Sequence, residues 1–90
     1  MRSIHVVLRG RVQGVGFRIF VMRRAREHAV RGEVRNTPDG AVEITAAGDA
    51  AALDEFLADV RKGPLHARVD RVDITEIAAS PGRHGFSISG

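Results

Sequence analysis

A chain of 90 residues and 9.7 kDa has room for one hydrophobic core, so a single domain over residues 1–90 is expected. Its 43% apolar content is enough for that core, and the absence of cysteine excludes disulfides, thiolate catalysis and zinc–cysteine sites. The formal charge is +3, from 14 basic and 11 acidic residues, and 13 of the 14 are arginine. A surplus this small fits nucleic acid, a membrane surface, an anionic small molecule or plain solvated arginine. No long apolar run follows Met1-Arg2-Ser3-Ile4-His5. Neither a signal peptide nor a membrane span is therefore expected, and the chain reads as cytoplasmic.

In residues 4–9, Ile4, Val6 and Leu8 share one face and His5, Val7 and Arg9 the other, which is the alternation of a strand. Residues 10–16 follow with three glycines in seven positions, too many for a strand interior or a helix. A helix is predicted over 17–28. Phe17, Val21, Met22, Ala25 and His28 fall in one arc, with Arg23, Arg24, Arg26 and Glu27 outside it, while Ile19 and Phe20 fit poorly. Residues 30–36 alternate again, Thr37-Pro38-Asp39-Gly40 has turn chemistry, and Val42, Ile44 and Ala46 continue the alternation, so a β-hairpin is predicted.

Asp49 stands where a helix N-cap is wanted, and Leu53, Phe56, Leu57 and Val60 have the sharpest helical spacing in the chain. Lys62 and Gly63-Pro64 end that helix. Residues 67–78 read as a long strand whose apolar parity shifts between Val69 and Val72, the mark of a bulge. Ser80-Pro81-Gly82 turns, and Phe86 and Ile88 mark a short last strand. The order β-α-β-β-α-β plus a short terminal strand implies an α+β fold of ferredoxin-like type. Its antiparallel sheet carries both helices on one face.

A strand, a glycine-rich loop and a helix start can together bind an anion. Glycines let backbone N–H groups turn inward, and the helix N-terminus adds unpaired donors and partial positive charge. The candidate donors are the amides between Gln13 and Arg18: those of Gln13, Gly14, Val15, Gly16, Phe17 and Arg18. Arg18 falls within the apolar arc at the helix start, where an arginine needs a partner. Two readings stand. Its fork folds back to hold two phosphate oxygens, or it snorkels to water. Neither the P-loop pattern nor G-x-G-x-x-G is present, so the site is expected to hold a single phosphate group rather than a nucleotide.

Asn36 shares parity with Gly32 and Val34, which directs its amide to the apolar side of the sheet. There it could hold a water or a substrate oxygen; equally, Asn before Thr-Pro-Asp-Gly is ordinary turn chemistry.

Gly10-Arg11-Val12-Gln13-Gly14-Val15-Gly16-Phe17-Arg18 resembles the signature G-x-V-Q-G-V-x-[FY]-R of acylphosphatases. Gly32-Glu33-Val34-Arg35-Asn36-Thr37-Pro38-Asp39-Gly40 resembles that family's second signature, G-x-V-x-N-x-x-x-G. The similarity in element order covers about residues 3–89, and the family's α/β sandwich is the fold already expected. The resemblance implies hydrolysis of an acyl phosphate to a carboxylate and inorganic phosphate. It matches the family's catalytic arginine and asparagine to Arg18 and Asn36. Arg18 and the loop amides would bind phosphate, Asn36 would orient the attacking water, and no metal or cofactor is implied. No His, Asp or Glu lies in residues 10–18, so the water's proton is expected to pass to the substrate phosphate.

The chain departs from the family's habits at Glu33, where an aromatic residue is common, and at Ala29, where glycine is common. The first should alter surface packing; the second should cost an easy left-handed helix cap. Thr37 is expected either to support Asn36 through its hydroxyl or to serve the turn. His28 is expected to be a packed core histidine, and His5, His66 and His84 lack ligand spacing. Two rival classes remain. A non-catalytic acyl-phosphate- or phosphate-binding module is weakened by the presence of both key residues and of no other domain. An RNA-binding sheet needs exposed aromatics, and this chain has four Phe and no Tyr or Trp. A monomer without nucleic acid or membrane partners is the expectation.

Overall fold

The structure, a computed structural model, describes residues 1–78 and 85–90. Its elements in chain order are β1 (Arg2–Arg11), α1 (Phe17–Glu27), β2 (Arg31–Asn36), β3 (Val42–Gly48), α2 (Ala50–Lys62), β4 (Arg68–Glu76) and β5 (Phe86–Ile88). The strands form one sheet in the order β4-β1-β3-β2-β5. The four long strands pair antiparallel, as the alternation implies. The short fifth strand adds to β2 in parallel, Gly32 opposite Phe86 and Val34 opposite Ile88, so the whole sheet is mixed. The expected Ser80-Pro81-Gly82 turn and His84 lie outside the described residues.

One face of the sheet is apolar. Ile4, Val6 and Leu8 of β1, Val34 of β2 and Val42, Ile44 and Ala46 of β3 are all buried. Both helices cover this face. Phe17, Val21 and Ala25 of α1 and Leu53, Phe56, Leu57 and Val60 of α2 join the same core cluster. No polar or charged residue is buried among those described, so the side chains of the core are apolar throughout. The opposite face is charged and tied across strands. Glu43 accepts from His5 Nε2 at 3.0 Å and from Arg35 Nε at 2.5 Å, while within β4 Arg71 pairs with Asp73 at 2.8 Å. Burial pushes the Glu43 carboxyl up, but its bonds to Arg35 and His5 outweigh that and hold it below the usual carboxylate range.

Three local features differ from the sequence reading. First, β1 does not stop before Gly10 but runs through it to Arg11. The pairing with β4 shifts register between Arg9 and Gly10: Arg9 faces Arg71 and Gly10 faces Val69, which leaves Asp70 as the extra residue. This is the bulge expected from the parity shift in β4. A Cβ at position 10 would collide with the Arg68 carbonyl oxygen, so this glycine serves the strand rather than the loop. Second, Asp49 occupies the N-cap position of α2 in extended conformation but makes no side-chain cap bond. Third, His28 is not packed in the core. It is half-buried at the end of α1, where Nε2 donates to Asp59 Oδ2 at 2.9 Å and Nδ1 lies 3.3 Å from Glu55 Oε2, so it bridges the two helices.

Ala29 sits at φ 55, the left-handed region expected of a glycine here. A Cβ in that region strains the backbone. Ala29→Gly should therefore raise stability by about 1 kcal/mol, seen as a rise of roughly 4–8 °C in Tm for a domain this small. An unchanged or lower Tm would mean that the left-handed turn carries no strain. Among the described residues no helix is long and apolar enough to cross a membrane.

Candidate active site

A cleft of about 200 Å³ opens where α1 begins, between the glycine-rich loop and the ends of β2 and β5. Gly14, Gly16, Phe17, Arg18 and Asn36 line it, five of the residues singled out from sequence, together with Val12, Ile19 and Ile88. Two motifs that lie about 20 residues apart therefore meet in one pocket. The loop between β1 and α1 turns through left-handed backbone at Gly14 (φ 75) and Gly16 (φ 77), with open space where their Cβ atoms would be. Gly16 is also the N-cap of α1, so the helix starts with no side-chain cap bond and no acidic residue in its first turn. The first amides of α1 are left as donors at the cleft, with the helix's positive end behind them.

Arg18 does not enter the core. It is half-buried, and Nη1 donates to the Gly90 main-chain oxygen at 2.6 Å, which holds the side chain along the cleft wall. The backbone N–H of Asn36 donates to the same oxygen at 3.2 Å. The segment after β5 thus links the two candidate residues, a contact that no local sequence pattern announces. The Asn36 side chain is the unusual group. Its Oδ1 is buried and accepts no hydrogen bond among the described residues. A buried acceptor without a donor costs about 1–3 kcal/mol. Asn36 itself lines the cleft, so a turn of its amide would bring this acceptor to a water or ligand there.

The other expected residues surround the cleft without lining it. Val15 is half-buried against the core. The Gln13 side chain reaches across to the turn after β2, where Nε2 donates to the Thr37 and Ala41 carbonyl oxygens, each at 2.9 Å. It ties the glycine-rich loop to the chain that follows Asn36. Thr37 serves the turn: its hydroxyl donates to Asp39 and accepts from the Ala41 N–H at 3.0 Å. It does not support Asn36 through its side chain. The Thr37 hydroxyl and the Arg9 guanidinium hold the Asp39 carboxyl below its ordinary range. Gln13→Ala should cost about 1–3 kcal/mol for its two bonds and lower Tm by several degrees. A Tm equal to that of the unaltered chain would show that the strap is idle.

Among the described residues no His, Asp or Glu lines the cleft, and its one charge is the Arg18 guanidinium. Nor is any group of three or more His, Asp or Glu side chains among them placed to hold a metal ion. Chemically the cleft offers one cation, a set of backbone donors, one unsatisfied acceptor and apolar walls.

Comparison with known proteins fits this geometry. The family model for acylphosphatase matches residues 4–88. The chain is 48% identical to an acylphosphatase of Methylococcus capsulatus over 89% of its own length and 87% of that protein's. It is 46% identical to an acylphosphatase of Bacillus velezensis over 99% of both chains. Among solved structures it resembles the crystal structure of acylphosphatase from Bacillus subtilis, with a TM-score of 0.95, 40% identity and full coverage of both chains.

Proposed function

The chain belongs to the acylphosphatase family, and from that membership and the cleft we propose how it hydrolyses acyl phosphates. The phosphate group enters against the amides of Gly14, Gly16, Phe17 and Arg18, which line the cleft, and Arg18 holds its oxygens with donors not engaged by Gly90. Asn36 Oδ1 accepts a hydrogen bond from the attacking water and aims its oxygen at phosphorus. The observation that carries this assignment is that Asn36 and Arg18 line one cleft, with an Asn36 Oδ1 that has no partner among the described residues and that a turn of the amide would bring to a bound water.

The step balances without a protein base. The water oxygen forms a bond to phosphorus as the phosphorus–oxygen bond to the acyl group breaks. The carboxylate leaves with that electron pair. The water's proton passes to a phosphate oxygen, giving inorganic phosphate. A carboxylate is a good leaving group, so positioning and stabilisation of charge supply the acceleration. No cofactor or metal takes part. The working unit in this reading is a monomer. We place that monomer in the cytoplasm, where phosphoryl donors such as ATP give rise to acyl phosphates.

The test is hydrolysis of acetyl phosphate with EDTA present, followed across pH. Turnover should persist in EDTA, and the profile should show no protein group titrating near neutrality. Activity lost to EDTA and restored by a divalent ion would overturn the metal-free scheme. A folded chain that binds phosphate without turnover would be a binding module instead.

A further inference from the structure

The acyl half of the substrate has its own wall. Among the described residues, four large hydrophobic side chains are exposed: Met1, Ile19, Leu65 and Ile88. Two of the four, Ile19 at 48% and Ile88 at 37%, line the cleft that holds Arg18 and Asn36. They come from unrelated parts of the chain. Ile19 lies in the first turn of α1, next to Arg18. Ile88 lies at the end of β5 opposite Val34, two residues before Asn36 on the neighbouring strand. By parity Ile88 points to the same side of the sheet as the buried Phe86, yet it is exposed.

Apolar surface left open at such a place gains free energy when a ligand covers it. Among the described residues no acidic group lines the cleft, and its one cation, Arg18, is taken by the phosphate, so no charged side chain is left for the acyl group. The geometry points to Ile19 and Ile88 as the residues that select the acyl group, favouring small acyl phosphates with apolar chains over acetyl phosphate or acyl groups bearing charge. This rests on the proposed phosphate site, because the wall acts only on a substrate anchored there.

Contacts to a part of the substrate that does not react are equal in the ground and transition states, so they lower KM and leave kcat alone. The series acetyl, propionyl and butyryl phosphate tests this, because its leaving groups have nearly the same acidity. KM should fall about twofold to fourfold with each added methylene, as partial to full burial of that group predicts. The slope should vanish in the double variant Ile19→Ser/Ile88→Ser and persist in Leu65→Ser, which removes an exposed leucine outside the cleft. Equal KM values across the series in the unaltered chain overturn the proposal even where the double variant does not fold. So does a slope that survives in the double variant. Failure to hydrolyse any member overturns the phosphate site as well, whereas hydrolysis of all three with equal KM overturns the acyl wall alone.

Discussion

With Arg18 replaced by alanine, kcat/KM for acetyl phosphate should fall by about 10²–10³ or more, and inorganic phosphate should cease to inhibit. Arg18 is the one charged side chain lining the cleft among the described residues, so no other of them can neutralise a phosphate dianion there. It meets that charge both when substrate binds and when the bond breaks. KM should therefore rise and kcat fall together. Arg18→Lys should recover only part of the loss, because an ammonium cannot grip two oxygens with a planar fork. The fold should survive, since Arg18 is half-buried and outside the core cluster. The variant loses one bond to Gly90 and no apolar contact of that cluster. Unchanged inhibition by phosphate in a folded Arg18→Ala protein would place the anion elsewhere.

Asn36→Ala should behave differently. Its kcat should fall by about 10²–10³, the usual effect of losing one preorganised polar contact in a site, while phosphate inhibits at nearly unaltered strength. The contrast follows from geometry. The loop amides and Arg18 remain, so the anion still binds, but the water loses the acceptor that orients it. Stability gives a second readout. The backbone bond from Asn36 to Gly90 is unaffected by the substitution, and the truncated side chain removes a buried acceptor that no group among the described residues satisfies. Tm should therefore hold or rise slightly while turnover collapses. A variant that turns over normally refutes the water-positioning role; one that unfolds shows that Asn36 is a structural turn residue.

Much of the architecture is legible in alternation and spacing, because each apolar face has one partner to bury against. Leu53, Phe56, Leu57 and Val60 are all buried, and the parity shift between Val69 and Val72 marks a real bulge. Gly10 departs from its loop reading for a physical reason. Glycine signals either a loop or a close backbone approach, and only the position of Arg68 on the neighbouring strand decides between them. His28 matches the apolar arc of α1, yet two carboxylates on α2 draw it to the surface. Those partners lie about 30 residues away, beyond any local pattern.

The candidate site divides the same way. Its polar residues sit in two short motifs and are legible, because a phosphate site demands glycines, an arginine and an amide at fixed spacing. Ile19 is visible in the sequence only as a misfit on the helix, and Ile88 as an ordinary strand residue; their exposure beside Arg18 and Asn36 emerges when β5 docks on β2. The Gly90 main-chain oxygen that joins the two key residues has no sequence signal at all.

Hydrolysis in water enriched in oxygen-18 tests most directly the claim that water attacks phosphorus held by Arg18. The label should appear in inorganic phosphate and be absent from the carboxylate, since the phosphorus–oxygen bond is the one that breaks. Label recovered in the carboxylate would mean attack at the acyl carbon, and would contradict the roles of both Asn36 and Arg18.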